Sequence, residues 1–376
     1  MKRRTLAASV VATSLIGGAA LALGCETMEY ERSPQWRDGK FRNAQPMWTD
    51  MRAALLRSLS SASNATPDTP LPIVHNDAAH YATPSQTGLR VTWFGHSSSL
   101  IEIDGATVLT DPVWSNRPSP VPFAGPKRWF APPTSLEQLP HIDAVVISHD
   151  HYDHLDRKTI AAMKSWTKTT FIVPLGVGQH LRRFGIDARR IVELDWWQST
   201  HVGDLEIVAT PARHASGRLS PQSDKTLWAG YALIGAHHRA WYSGDTGLLD
   251  AFEDVGARLG PFDVTLIESG QYDATWPDWH LGPEQAVTAH RMVRGKVMIP
   301  VHWALFKLAN HGWTEPAERV LAEARTKDVT VLIPRPGQSV EPTRDKVAAW
   351  WPSTPWQTAK EHPIVATRNG DERERM

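Results

Sequence analysis

The stretch that most constrains this chain is Ala144-Val145-Val146-Ile147 running into Ser148-His149-Asp150-His151-Tyr152-Asp153-His154. A short, wholly apolar run bounded by polar residues reads as a buried strand. The HxHxDH cluster at its end places four metal-type ligands where a strand gives way to a turn and then a helix. On that reading His149 and His151 share a face while Asp153 and His154 emerge from the first helical turn, a layout that serves two neighbouring cations. Imidazole and carboxylate suit zinc and tolerate iron or manganese, and the lack of thiolate argues against a closed structural zinc site. The single cysteine, Cys25, rules out an intrachain disulfide.

Three further candidates each follow a strand-like run: His214 after Leu205–Ala209, Asp245 after Ala240–Tyr242, and His302 after Val297–Val301. Strand ends on one edge of a sheet converge, so ligands distant in sequence can meet at one mouth. With the first cluster these make five histidines and two aspartates, enough for a pair of divalent metals.

The architecture follows from the order of patterns. Strands are expected at Leu89–Gly95, Ser99–Ile103 and Thr107–Thr110, then at 144–147, 170–173, 205–209, 227–234, 240–242, 264–267, 297–301 and 329–332. Helices are expected at His154–Trp166, Gly247–Leu259, Gly282–Met292 and Glu315–Arg325. A meander followed by alternating strands and helices implies an α/β (α+β) chain in which two mixed sheets pack face to face under flanking helices. Residues 26–88, with prolines at 34, 46, 67, 70, 72 and 84 and a helix near Trp48–Leu59, read as a wrapping N-terminal extension or linker. Residues 89–340 read as the main domain, 341–376 as a C-terminal extension, and 367–376 as a charged, disordered end.

Residues 1–25 have the pattern of an export signal: Lys2, Arg3 and Arg4 precede an apolar stretch from Leu6 to Leu23. Arg3-Arg4-Thr5-Leu6 resembles a twin-arginine signal, and Ala22-Leu23-Gly24-Cys25 resembles a lipobox in which Cys25 is lipidated. The expectation is a periplasmic or envelope protein, held on a membrane surface if that cysteine carries acyl chains. No later stretch is long and apolar enough to span a bilayer. Forty basic and forty acidic residues cancel, leaving no basic footprint for nucleic acid.

The ligand series and its flanks resemble the metallo-β-lactamase fold superfamily, an αββα sandwich carrying HxHxDH, a later His, an Asp and a last His in this order. The segments Trp93-Phe94-Gly95-His96-Ser97-Ser98, Leu109-Thr110-Asp111-Pro112-Val113-Trp114-Ser115-Asn116-Arg117-Pro118-Ser119-Pro120, Gly125-Pro126-Lys127-Arg128 and Gly282-Pro283-Glu284-Gln285-Ala286 are similar to the N-acyl-phosphatidylethanolamine-hydrolysing phospholipase D family and its bacterial relatives. The resemblance implies that His149, His151 and His214 hold one metal, that Asp153, His154 and His302 hold the other, and that Asp245 bridges them. It also puts Asp111 and His280 beside the metals: Asp111 holding a metal-bound water or a ligating imidazole, His280 touching substrate or assisting proton transfer. On that view Asp111→Asn cuts turnover while leaving metal content near normal. His96 is open between a hydrogen-bonding and a catalytic role.

Two cations about 3.5–4 Å apart can share a hydroxide and neutralise attacking and leaving oxygens, so hydrolysis is the expected reaction. Counting ions, aspartates and hydroxide leaves about one net positive charge, which complements a phosphodiester monoanion and also serves the oxyanion of a lactone, ester or amide. The expected substrate is thus an N-acyl phospholipid, with another acylated small molecule, or a non-catalytic metal-binding role, as alternatives. Trp114, Trp129, Trp276, Trp279, Trp303 and Trp313 could line an apolar groove for acyl chains or simply build core, and Lys127 and Arg128 could meet a phosphate or simply be solvated.

Overall fold

In the computed structural model the described residues are 30–58, 62, 64–218 and 223–374. The export signal, the twin-arginine run and Cys25 lie outside them. Among the described residues no helix is long and apolar enough to cross a membrane.

Two seven-stranded sheets form the centre of the fold. One contains β3 (Leu89–Gly95), β4 (Ser98–Ile103), β5 (Ala106–Thr110), β6 (Ala144–Val146), β7 (Thr170–Pro174), β8 (Ile191–Leu194) and β16 (Ser339–Val340), ordered β16-β3-β4-β5-β6-β7-β8. The other contains β9 (Ser199–Val202), β10 (Leu205–Thr210), β11 (Gly230–Ile234), β12 (Arg239–Tyr242), β13 (Phe262–Glu268), β14 (Gly295–Val301) and β15 (Thr330–Val331), ordered β15-β14-β13-β12-β11-β10-β9. Each half begins as an antiparallel meander and turns parallel, at β5–β6 and at β12–β13. In the parallel parts the strands end on the same edge, and the chain places its histidines and acids there.

Alternation in these strands feeds separate cores. Val91, Ile101, Val108, Val146, Ile207, Leu233, Val264 and Ile299 meet between the sheets. The outer face of the first sheet, with Leu100, Val145 and Phe171, packs on α3 (Arg157–Ala162) and α4 (Gly178–Arg183) through Ile160 and Leu181. The outer face of the second, with Trp241 and Met298, packs on α5 (Ala251–Leu259), α6 (Pro283–Met292) and α7 (Glu315–Lys327) through Phe252, Val287 and Val320. Burying a Leu- or Val-sized side chain contributes roughly 1.5–3 kcal/mol, so these layers are what hold the strand ends in register.

Several local expectations shift. The helix expected from His154 begins at Arg157, because Asp156 is its N-cap and accepts from the Lys158 amide. Asp153 and His154 therefore sit in the preceding turn, where the His154 amide donates to the His151 carbonyl. The helix expected at Gly247 begins at Ala251, since the Gly247 amide is committed to the Arg213 carbonyl. Strand β11 starts at Gly230 rather than Leu227, because the Leu227 and Ala229 amides donate across to Leu175 and Ser148. Strands β8, β9 and β16, helix α4 and the hairpin of β1 (Trp36–Arg37) and β2 (Lys40–Phe41) were not anticipated. In the N-terminal region α1 spans Met51–Ser58, and α2 (Ala78–Ala82) is a further short turn of helix. Thr367, expected in a disordered end, is buried, and its amide and hydroxyl donate to Asp278.

Candidate metal centre

The candidate ligands gather at the C-terminal strand ends. Ser148 and His149 follow β6, His214 follows β10, Asp245 follows β12, Glu268 closes β13 and His302 follows β14. The turns that deliver them are tight: Asp111, His302 and His96 all take positive φ, at 32°, 65° and 52°. For residues with a Cβ this is sparsely populated backbone, and its clustering at one mouth marks a functional edge. Gly244 (φ 60°) brings the Asp245 turn against the HxHxDH turn, since a Cβ there would lie 2.7 Å from that of Ser148.

Two groups of donors share Asp245. His149 Nε2 lies 2.8 Å from His151 Nδ1, and His214 Nε2 lies 3.2 Å from the same atom. His154 Nε2 and His302 Nε2 approach Asp245 Oδ2 at 3.0 and 3.1 Å, and Asp153 Oδ2 at 3.3 and 3.5 Å. Asp245 Oδ2 is also 3.8 Å from both His149 Nε2 and His214 Nε2, so one carboxylate oxygen sits between the groups. All seven side chains converge.

Several features fit metal ions. Around a tetrahedral zinc, imidazole nitrogens stand roughly 3.4 Å apart, close to the spacing of the first group. The Nε2 atoms of His154 and His302 and both oxygens of Asp245 are buried without a hydrogen-bond partner among the described residues, despite the short approaches. Buried polar atoms left this way cost free energy unless something else satisfies them. Burial pushes the His149, His151 and His214 imidazoles down, keeping them neutral, the form a metal binds. Burial would also push His154 and His302 down, but Asp245 overrides it and lifts both well above their ordinary value. Burial alone would raise the Asp245 and Asp153 carboxyls; His154, aided by His302, instead holds both well below the usual carboxylate range.

The opposite nitrogen of most of these imidazoles is held, which fixes which one faces the centre. Asp111 Oδ2 accepts from His154 Nδ1 at 2.6 Å, so of the two roles expected of Asp111 it takes the imidazole-holding one. It also accepts from Ser148 Oγ at 2.5 Å, which in turn lies 2.9 Å from His149 Nδ1. His214 Nδ1 donates to the Trp279 carbonyl at 3.0 Å. His96 Nε2 bonds Asp153 Oδ2 at 2.9 Å, a hydrogen bond that orients the carboxylate. His280, partly exposed at the mouth, is bonded through Nδ1 to Glu268 Oε2 at 2.8 Å, and its Nδ1 is 3.8 Å from Asp245 Oδ2.

Two contributors escaped the sequence reading. Glu268 is fully buried: Oε1 accepts from the Thr246 and Leu281 amides, and Oε2 faces both His280 and His302, the latter at 3.3 Å. The signal available was a charged residue directly after the apolar pair Leu266-Ile267 at the end of a strand. Asn43, in the N-terminal region, brackets His214 by donating to its carbonyl at 2.7 Å and accepting from its amide at 3.0 Å. Nothing local in the sequence marks it. Readings left open at three other positions are resolved by packing. Trp303 and Trp313 are buried core, with Trp303 stacked on Trp93 at 5.6 Å, so they line no acyl groove. Arg128 is buried and donates to the Phe130 and Trp114 carbonyls, which makes it a clamp on its own loop.

Residues 106–303 match the family described as the Beta-lactamase superfamily domain. A Mycobacterium tuberculosis protein described as uncharacterized is 45% identical over 361 residues, covering 92% of this chain and 96% of the relative. The N-acyl-phosphatidylethanolamine-hydrolyzing phospholipase D 1 of Caenorhabditis elegans is 37% identical over 272 residues, covering 69% of this chain and 76% of that one. Among solved structures, Igni18, a metallo hydrolase from Ignicoccus hospitalis, shares the fold with a TM-score of 0.52 at 24% identity, over 67% of this chain and 97% of that one. Fold, donor set and relatives together define a metal-dependent hydrolase. The chain belongs to the metallo-β-lactamase superfamily and is related within it to the N-acyl-phosphatidylethanolamine-hydrolysing phospholipases D.

Proposed function

We propose that the protein is a binuclear, metal-dependent phosphodiesterase of the cell envelope, acting on phospholipids of the N-acyl phosphatidylethanolamine type. The observation that carries this reading is Asp245 Oδ2, poised between the His149, His151 and His214 group and the Asp153, His154 and His302 group. A pair of divalent ions, zinc first and iron or manganese otherwise, would supply Lewis acidity there. His149, His151 and His214 would hold one ion and Asp153, His154 and His302 the other, with Asp245 between the two groups. Asp111 and Glu268 lock imidazole orientation from behind. His280, pinned at Nδ1, keeps Nε2 for proton exchange with the leaving group at the open side. The likeness to the nematode phospholipase supports the substrate class, and the basic, apolar start of the chain supports an envelope location, with Cys25 as anchor.

The test is direct. Metal-loaded protein is incubated with N-acyl phosphatidylethanolamine and, separately, with a lactone panel, each with and without chelator. Mass spectrometry should find phosphatidic acid and N-acylethanolamine only in the chelator-free phospholipid arm, with two equivalents of metal per chain by elemental analysis. Chelator-sensitive lactone opening with intact phospholipid would overturn the substrate class. One equivalent of metal at full activity would overturn the binuclear reading.

A further inference from the structure

A cavity borders the HxHxDH turn at Tyr152. It is a cleft of about 970 Å³ walled by the loop 114–122, by Tyr152 and by residues of α3 and α4. No candidate metal ligand lines it. Its charged lining is unbalanced: Arg117, Arg157, Lys158, Arg183 and Arg218 face a single carboxylate, Asp156. That carboxylate is already engaged, accepting from the Ser115 amide and hydroxyl at 2.9 and 2.8 Å, from the Lys158 amide at 3.1 Å and from Thr159 Oγ1.

Several cations elsewhere in the chain are paired. Arg57 meets Asp273, Arg90 meets Glu102, Arg213 meets Asp278 and Arg319 meets Glu284. Among the described residues none of the cations in the cleft has an ion-pair partner. Arg218 donates instead to the neutral carbonyls of Asp150 and Leu155, both at 2.7 Å. Its guanidinium stacks on the Tyr152 ring at 3.9 Å, which fixes its plane and directs its N–H edge sideways. Gathering like charges in a concavity costs free energy in self-repulsion, and such a cleft concentrates anions from solution. Planar guanidinium groups with an ammonium beside them match the oxygens of a phosphoryl group. The cavity is larger than one such group and leaves room for what the phosphate is attached to.

We propose that this cleft is a phosphoryl-anion site separate from the metal centre, taking either a soluble phosphate or the headgroup phosphate of an anionic lipid. The site rests on the cleft's own charges and is independent of the phosphodiesterase reading. Arg157, Lys158 and Arg183 are exposed and accept no structural duty in side-chain hydrogen bonds, so Arg157→Gln/Lys158→Gln/Arg183→Gln removes the field without removing the wall. Glutamine also keeps helix propensity in α3 and α4.

The metal-loaded full chain and the triple variant are titrated calorimetrically with inorganic phosphate. Both are also sedimented with vesicles of phosphatidylcholine alone or mixed with phosphatidylglycerol. Matched melting temperature and metal content serve as controls for folding. The expected result is a phosphate-binding event in the wild type that weakens roughly tenfold or more in the variant, the equivalent of one charge-assisted contact. Sedimentation with phosphatidylglycerol vesicles that phosphate fails to compete away, and that the variant loses, identifies the lipid source. Phosphate binding without vesicle binding identifies the soluble one. Equal binding by wild type and variant in both arms, or no binding of either probe by the wild type, overturns the site.

Discussion

Asp111→Asn is the sharpest probe of the centre, because it changes charge and leaves shape alone. Asparagine tolerates the positive φ that Asp111 adopts, so the backbone has no reason to move. The wild-type carboxylate is fully buried and accepts four hydrogen bonds. Oδ1 takes the Ser148 amide at 2.7 Å; Oδ2 takes Ser148 Oγ at 2.5 Å, His154 Nδ1 at 2.6 Å and Tyr242 OH at 2.5 Å. Every partner is a donor. Whichever way an asparagine amide turns, its NH₂ group faces at least one of them. The cheaper flip strands the Ser148 amide at about 1–3 kcal/mol and weakens three charge-assisted bonds to neutral ones. A total loss of about 3–5 kcal/mol follows, the range for breaking one side of a buried ionic contact.

The same change reaches the metals. Asp111 touches His154 directly and His149 through Ser148 Oγ, and these imidazoles belong to different donor groups. Loss of the orienting partner typically lowers metal affinity about 10–100-fold, so on the proposed binuclear reading Asp111→Asn should weaken metal binding at both donor groups rather than leave metal content near normal. Tyr242→Phe removes one donor from an acceptor that keeps three others, and should cost about 1 kcal/mol with metal binding nearly unchanged. Chemical denaturation and competition against a chromophoric chelator measure both quantities. An Asp111→Asn protein with wild-type stability and wild-type affinity at both positions would refute the reasoning.

Glu268→Gln should loosen His280 and His302 together, lowering metal affinity about tenfold or more by the same orienting logic; unchanged affinity in a chelator competition would remove Glu268 from the centre. Gly244→Ala should destabilise the protein by about 1–3 kcal/mol, since its Cβ would meet Ser148 and the Ala229 carbonyl at φ 60°; a denaturation midpoint equal to wild type would contradict that close approach. His290 is bonded to Thr265 Oγ1 at 2.8 Å, and burial lowers its pKa to about 4. Above pH 6.5 the imidazole is neutral in both folded and unfolded chains and adds no pH dependence. Between 6.5 and about 4 the unfolded chain takes up a proton that the folded one refuses, so stability falls with pH by up to about 3 kcal/mol. His290→Asn should flatten the wild-type slope in that window, as measured by denaturation at stepped pH, and parallel slopes would exclude the assignment.

Much of the centre was legible because its ligands sit at ends of strands with strong apolar patterns. His149, His214, Asp245 and His302 each follow an apolar run that is buried almost throughout, and a sheet edge then brings them together. What was not legible depends on partners from elsewhere. The start of α3 is set by Asp156, whose capping bond competes with continuing the helix back to His154. Strand β9, Ser199–Val202, is an exposed polar edge with no periodicity to read, and its pairing with β10 defines it. Glu268 looked like a strand's polar end; its value comes from His280 and His302, which lie elsewhere in the chain. Trp303 and Trp313 carried a plausible groove reading that only their packing against Trp93, Trp129 and Trp350 could dismiss.

The N-terminal region is also more than a wrapping. Asn43 clamps both backbone groups of His214, and the neighbouring Arg213 donates to the Gln45, Pro46 and Leu248 carbonyls and to Asp278 at 3.0 Å, with both charged side chains wholly buried. Asp278 in turn accepts from the Trp48 amide and from Thr367. One buried ion pair thus joins both extensions to the loop that delivers His214 and to the one that carries His280. Removing one side of such a pair is costly because the other charge stays buried. The geometry of the first donor group is therefore set partly by chain outside residues 89–340. Without that chain the seven candidate ligands would remain, but the bonds that hold His214 in register would be lost.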